Sequence, residues 1–374
     1  MSFAAPFSAL LFGTNVQYTE DTDHAIHGLC SIPMIKGVMM KVAAIFGQSQ
    51  GGVVEKATPT PKEDIVLVKV HSAPMCTEYH AYRNGDRSDC LGHEAAGEVV
   101  GVDKSNRVRI GDRVLVQPQY ACGKCYLCLQ GEHIHCQNQR RPLEITGSEA
   151  GTATMAQYML KPDYLLNPIP DDISYDHAAM ACCGLGPTFG AMQLMEVDAF
   201  DTVLITGLGP VGLGGVINAK YRGARVIGVE SNPYRVQLAR RLGADRVVNP
   251  QDPDAIHQIR AFTNGIGADK GIDTSGTENA KGFLADAIRR KGKLAFVGWQ
   301  GSVEVNTIIS KGFSLYGAWH YNIHDYPKLM RIISNSTAQL NDLITHSYPI
   351  DKVDEAWRLQ IGGQCGKIVL HPWD

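Results

Sequence analysis

The sequence has no excess of basic charge, no long apolar run and no leader-like start. Its 35 Lys and Arg residues are outnumbered by 38 Asp and Glu, giving a formal net charge of -3. Basic residues stand singly among hydrophobic ones, which argues against nucleic acid as the principal partner. No run of about 18 apolar residues occurs, so a membrane span is not supported. Phe3–Phe12 is apolar but lacks a positive flank and a small-residue cleavage site, which argues against a secretory signal. What remains is a soluble chain of 374 residues, 44% hydrophobic and 20% charged, long enough for two domains. Its ten cysteines fit a reducing compartment and a cytoplasmic location, where thiols stay available as ligands.

Four of those cysteines, Cys122, Cys125, Cys128 and Cys136, follow one another at intervals of three, three and eight in YACGKCYLCLQGEHIHC. A segment this short and polar builds no core and needs a staple. Four thiolates in tetrahedral reach suit a structural Zn²⁺ and leave no position open for substrate. The ion therefore holds a loop; a disulfide pair or unrelated thiols is the alternative.

The remaining cysteines point to a second metal. Cys76 lies in HSAPMCTEYH, Gly92-His93-Glu94 follows sixteen residues later, and Cys182-Cys183 precedes Gly184-Leu185-Gly186. A cysteine, a histidine and a distant second cysteine make a three-ligand set, which leaves a fourth position for water or substrate, as in catalytic zinc sites. On the residues alone, Gly-His-Glu is a weak signal, and a cysteine pair after an Ala-rich helix is more often apolar packing.

Residues 1–38, with the acidic patch Glu20–Asp23, do not share the alternation that begins at Lys41 and read as an N-terminal extension. Short strand-like runs follow, Ile65–Val70, Glu98–Val102 and Arg113–Gln117, so that 39–190 reads as a β-rich domain carrying a metal lobe at 118–140. Near residue 200 the period changes. Thr202–Thr206 is a continuous apolar run of a strand buried on both faces, Gly207-Leu208-Gly209-Pro210-Val211-Gly212 follows at once, and Val211–Tyr221 is helix-like. A second strand, Arg225–Glu230, ends in an acid eighteen residues after Gly212.

Glycines let the backbone turn and approach a pyrophosphate at a helix N-terminus, and a carboxylate at the next strand end takes the ribose hydroxyls. A glycine-rich turn in an ordinary α/β unit is the plainer alternative. Glu230 would repel a 2′-phosphate and favours NAD(H) over NADP(H). Arg235 is either a phosphate partner that tempers this preference or a surface charge touching the ribose. Alternation continues through Arg246–Val248, Ala255–Thr263, Lys270–Asp273, Glu278–Arg290 (helix-like) and Lys293–Val297. It predicts a doubly wound parallel sheet over 191–325, with ligand beyond the strand ends near Asp273, Val297, Gly298 and Ala318, and a closing segment 326–374.

From about residue 40 to the end the chain resembles the zinc-dependent medium-chain dehydrogenase/reductase family of alcohol, polyol and threonine dehydrogenases. Gly-His-Glu, the four-cysteine lobe and the dinucleotide fingerprint stand in that family's order. The resemblance implies an α/β protein in which a GroES-like catalytic domain precedes a Rossmann domain and 326–374 returns to the catalytic domain. It implies two zinc ions per chain and NAD(H). Cys76, His93 and Cys183 would bind the catalytic zinc, with Glu94 beside it as an alternate ligand. Val297, Gly298 and Ala318 would bond the nicotinamide carboxamide through their backbone.

One departure stands out: the family places a residue between the first cysteine and the Thr/Ser-Asp pair, and here Cys76 runs straight into Thr77-Glu78. Thr77 then matches the hydroxyl that relays the alcohol proton, Glu78 the acid that orients the histidine ligand, and His80 the end of the relay. The extra methylene of Glu78 would compensate for the missing residue; for His80, a surface histidine is the alternative.

The reaction expected is hydride transfer between a secondary alcohol and NAD(H). Trp319-His320-Tyr321-Asn322 and Tyr79 either bond a multi-hydroxyl substrate, a polyol or sugar, or simply seal the cleft. A zinc-free reductase of activated double bonds and a non-catalytic nucleotide-binding protein are the competing classes. The resemblance further implies a homodimer or homotetramer, for example through an edge strand at Phe313–Tyr316.

Overall fold

The computed structural model describes residues 38–141, 143–144 and 152–374, so the extension assigned to 1–38 lies outside the described residues but for Val38. Among these, no helix is long and apolar enough to cross a membrane.

The first part of the chain builds antiparallel β-structure. Met39–Gly47 and Gln50–Ala57 form a hairpin. Ile65–Pro74 is the centre of a seven-stranded sheet, pairing with Ala95–Gly101 and Tyr158–Pro162. Its alternation explains its place: Val66, Val68 and Val70 enter one core while Ile65 and Leu67 enter another on the opposite face.

Six parallel strands make the second sheet, in the order Arg246–Val248, Arg225–Val229, Thr202–Thr206, Ala268–Asp273, Ile288–Phe296, Ser314–Gly317. This is the doubly wound order, with its reversal beside Thr202–Thr206. That strand is buried at every residue, Val203 and Ile205 toward one helical layer and Leu204 toward the other.

One boundary differs from the sequence reading. The helix read over Glu278–Arg290 spans Ala280–Ala287, because Ile288 is already paired with Ala268 in the sheet. Within the closing segment 326–374, the first strand to rejoin the first sheet is Ile344–Pro349. Helices Tyr326–Asn335 and Thr337–Leu343 bury Leu329, Ile333, Leu340 and Leu343 in the same core as Val216 and Leu238. Only Ile344–Pro349 and Lys367–His371 then join the sheet of Ile65–Pro74.

Candidate active site

Strand Ile65–Pro74 delivers the loop Met75–Glu78, and helix Tyr79–Asn84 follows. His93 and Glu94 sit just before strand Ala95–Gly101; Gly92, at φ 91°, turns the chain where a Cβ would lie 2.4 Å from Thr154 Oγ1. Cys183 lies in the turn ahead of helix Gly186–Met195. These elements bring Cys76, His93, Glu94 and Cys183 together, with one ligand atom of each within 4.8 Å of the others. His93 Nε2 is 3.2 Å from Cys183 Sγ. The neighbouring Cys182 points elsewhere, its buried thiol donating to the Val116 carbonyl at 3.5 Å.

The shortened loop is closed by Glu78. One carboxylate oxygen lies 2.8 Å from His93 Nδ1, and the other accepts the Cys76 N–H at 2.9 Å. The longer side chain thus spans the distance that the missing residue leaves. Gln360 donates to the Cys76 carbonyl at 2.6 Å.

Charge in the cluster is shared. The Cys76 thiol is held well below its usual range, first by the bond from Cys183 and also by Lys367 and His93, while the same bond drives Cys183 upward. Burial opposes a charged His93, but bonds to Cys76 and Glu78 prevail and raise it to about 11. Burial pushes Glu94 up to about 8 against the pull of Lys367. Thiolates and neutral imidazole are the ligating forms, so a divalent cation would displace these protons. Two sulfurs, a nitrogen and a nearby carboxylate are a donor set that fits zinc.

Lys367 escaped the sequence reading. It is wholly buried, as is Glu94, and the two pair at 2.6 Å, while the second Glu94 oxygen accepts the Cys183 N–H. Its one signal was a lysine inside the apolar strand run Lys367–His371, which in a buried strand calls for a charged partner.

Cys122, Cys125, Cys128 and Cys136 form the other cluster. Sulfur separations of 3.5 and 4.0 Å match the edge of about 3.8 Å that a tetrahedral Zn–S site requires. All four thiols are free, and the sulfurs stand apart as separate ligands do. Backbone N–H groups of Cys122, Cys125 and Asn138 point at the sulfurs. Such bonds from Cys128 and Gln137 are the leading reason that the Cys125 thiol falls to about 6.

A cavity of about 600 Å³ joins the first cluster to the glycine turn, lined by Cys76, Thr77 and Lys367 on one side and by Gly207, Gly209, Pro210 and Val211 on the other. Helix Pro210–Tyr221 opens there with no side-chain cap, so its N–H groups are free for an anion. A Cβ on Gly212 would lie 2.0 Å from the Gly207 carbonyl, so only glycine lets helix and turn come this close. The cradle fits a dinucleotide. Glu230 and Arg235 also line it, and Glu230 already accepts N–H bonds from Leu208, Ser231 and Asn232, which fixes its carboxylate. Thr77 and His80 are exposed; His80 lies in the first turn of helix Tyr79–Asn84 and its ring lies against Tyr79, with centroids 4.1 Å apart.

Several expected contacts are corrected. Asp273 does not line the cavity: it is fully buried and binds Thr206 and Ser275, holding two strand ends together. The N–H groups of Val297 and Gly298 are used by the Asp273 carbonyl, and that of Ala318 by the Phe296 carbonyl. Only the carbonyls of these three residues remain for a carboxamide. His320 and Tyr321 are buried, and Asn322 binds Gln130 and Glu132, tying the cysteine lobe to the second sheet.

A cavity with a thiolate–imidazole metal cluster on one wall and a dinucleotide cradle on the other defines a metal-assisted dehydrogenase. Residues 62–171 match the alcohol dehydrogenase GroES-like domain family and 210–335 the zinc-binding dehydrogenase family. Sorbitol dehydrogenase of Bacillus subtilis is 29% identical, over 89% of this chain and 97% of that one. L-threonine 3-dehydrogenase of Pyrococcus abyssi is 31% identical, with the same coverage. An alcohol dehydrogenase of Escherichia coli CFT073 solved with NADH is 25% identical with a TM-score of 0.78, covering 90% of this chain and all of that one. The chain belongs to the zinc-dependent medium-chain dehydrogenase/reductase family.

Proposed function

We propose that this dehydrogenase oxidises a secondary alcohol of a polyol, sugar or related hydroxylated molecule with NAD, and reduces the matching carbonyl in reverse. The observation that carries the reading is the single cavity between the Cys76–His93–Cys183 cluster and the glycine turn. A zinc held there would supply Lewis acidity toward a substrate hydroxyl, and NAD in the cradle would supply the hydride acceptor. Cys76, His93 and Cys183 hold that metal, and Glu78 fixes the imidazole so that Nε2 faces it. Glu94 stays paired with Lys367 behind the cluster. The Thr77 hydroxyl at the cavity wall accepts the substrate proton as it gives up its own, which the exposed His80 passes to solvent. The lobe cysteines hold a second, structural zinc.

The remaining assignments follow from the same features. Gly207, Gly209, Pro210, Val211 and Gly212 receive the diphosphate, and Glu230 favours NAD over NADP. The names of the sorbitol and D-arabitol-phosphate dehydrogenases among the relatives support a polyol-like substrate. Strand Ser314–Gly317 pairs on one side only, and Val305 and Ile309 of the preceding helix are exposed; both support a homodimer or homotetramer built there. Free thiols at all nine described cysteines support a cytoplasmic location. The domain assignment is 39–190 with the returning segment 326–374 for the catalytic part and 191–325 for the cofactor part.

Metal analysis together with NADH formation across polyols, sugars, amino alcohols and aliphatic alcohols tests the reading. Two zinc ions per chain and turnover of hydroxylated substrates are expected; one zinc with turnover of activated double bonds, or a preference for long aliphatic alcohols, contradicts it.

A further inference from the structure

The neighbouring parallel strands Ile288–Phe296 and Ser314–Gly317 end in register, Phe296 opposite Gly317. The chain continues to Trp299 after one and to Trp319 after the other, so both tryptophans emerge at the ligand-binding edge of the sheet. Trp299 is 79% exposed and Trp319 41% exposed, and their rings meet edge to face, 5.4 Å apart at 83°. Large aromatic side chains ordinarily bury most of their surface, and an exposed pair marks a place where something binds.

The pair is held out by the fold. Lys281, itself buried, donates its ammonium to the carbonyls of Gln300 and Gly301, pinning the turn beyond Trp299. His135 of the cysteine lobe braces Trp319 from the other side, edge-on at 6.2 Å. The next residue, His320, packs on the helix that follows Cys183: a Cβ on Gly186 would lie 3.0 Å from His320 Nε2, and one on Gly190 2.2 Å from the His320 carbonyl. Trp319 is therefore tethered one residue from a side chain that packs on the helix following Cys183.

We propose that Trp299 and Trp319 form the corner that receives the substrate's ring, so that the alcohol oxidised is an uncharged cyclic polyol or pyranose sugar and not an open-chain polyol. The proposal rests on the dehydrogenase reading above. Two apolar walls at nearly a right angle suit a rigid ring, which lays its C–H face on one indole and sets its edge against the other. Hydroxyls around the ring then reach the indole N–H groups, neither of which has a partner among the described residues. A flexible chain would lose rotational freedom to fit the same corner, whereas a ring is already ordered. The lysine beside the corner, Lys281, gives N–H donors to two carbonyls, which leaves it few to offer a phosphate.

The test compares myo-inositol and methyl glucopyranoside with sorbitol and 2-propanol, in the wild-type enzyme and in Trp299→Ala and Trp319→Ala. Steady-state kinetics are combined with tryptophan emission on adding each polyol without NAD. The corner predicts that a ring polyol quenches and blue-shifts emission. It predicts that a ring is preferred over sorbitol, and that the ring to 2-propanol ratio of kcat/KM falls about tenfold or more in each variant, mainly through KM. Equal handling of ring and chain by an enzyme that turns over 2-propanol defeats the corner alone. A change in sedimentation with no change in that ratio also defeats it, and gives the pair to a second copy of the chain. Ring-dependent quenching without oxidation of any alcohol leaves the corner standing and defeats the dehydrogenase reading instead.

Discussion

The two metal clusters are built in opposite ways. The lobe draws Cys122, Cys125, Cys128 and Cys136 from fifteen consecutive residues, with few apolar neighbours: Ala121, Leu165 and the cysteines themselves make its small core. The other draws Cys76, His93, Glu94 and Cys183 from over a hundred residues, held by two β-structures and a helix whose cores are complete around it. A short loop closes cheaply, so metal can organise the lobe; the dispersed cluster is organised by the fold and presented to the metal. Metal should therefore be structure for the first and chemistry for the second.

Substitutions at each cluster sharpen that contrast. Cys183→Ser should lower kcat/KM by about a thousandfold or more, since it removes the electrophile's ligand, while thermal unfolding moves little and one zinc per chain remains. Cys182→Ser, one residue away, should keep both ions and activity. Cys128→Ser should instead release the lobe zinc and expose 118–140 to limited proteolysis; the contrast breaks if its lobe stays protease-resistant.

Smaller effects come from the groups around the dispersed cluster. Glu78→Gln should cost about 10–100-fold in metal affinity or turnover, the usual penalty for losing the partner of a ligating histidine. Glu78→Asp should do nearly as badly, because a shorter acid cannot reach both His93 Nδ1 and the Cys76 N–H; wild-type behaviour of that variant would show that the loop is not bridged by side-chain length. Glu230→Gln should have the mildest effect, narrowing the preference for NAD over NADP about tenfold as the repelling charge is lost, measured from the two values of kcat/KM.

The same contrast explains what was legible in the sequence. The lobe and the turn from Gly207 to Gly212 were readable because their residues lie together and each intervening spacing has one physical purpose. So was the parallel sheet, through its continuous apolar strands. Cys76, His93 and Cys183 were only a weak pattern on their own, and the family resemblance joined them before the fold did. Lys367 was missed because its partner Glu94 is distant in sequence and only tertiary burial makes the pair. Asp273 reads as a ligand contact along the chain, since a strand-end acid looks alike whether it faces a cavity or clasps a neighbouring strand. Which backbone groups of Val297, Gly298 and Ala318 stay free was not legible, because hydrogen bonding between adjacent strand ends is invisible along the chain.

Anomalous diffraction at the zinc edge, on crystals of active enzyme, addresses the central claim most directly. Two peaks are predicted, one among the four lobe sulfurs and one bounded by Cys76, His93 and Cys183 with Cys182 outside. A lone peak at the lobe of a fully active enzyme would contradict the account.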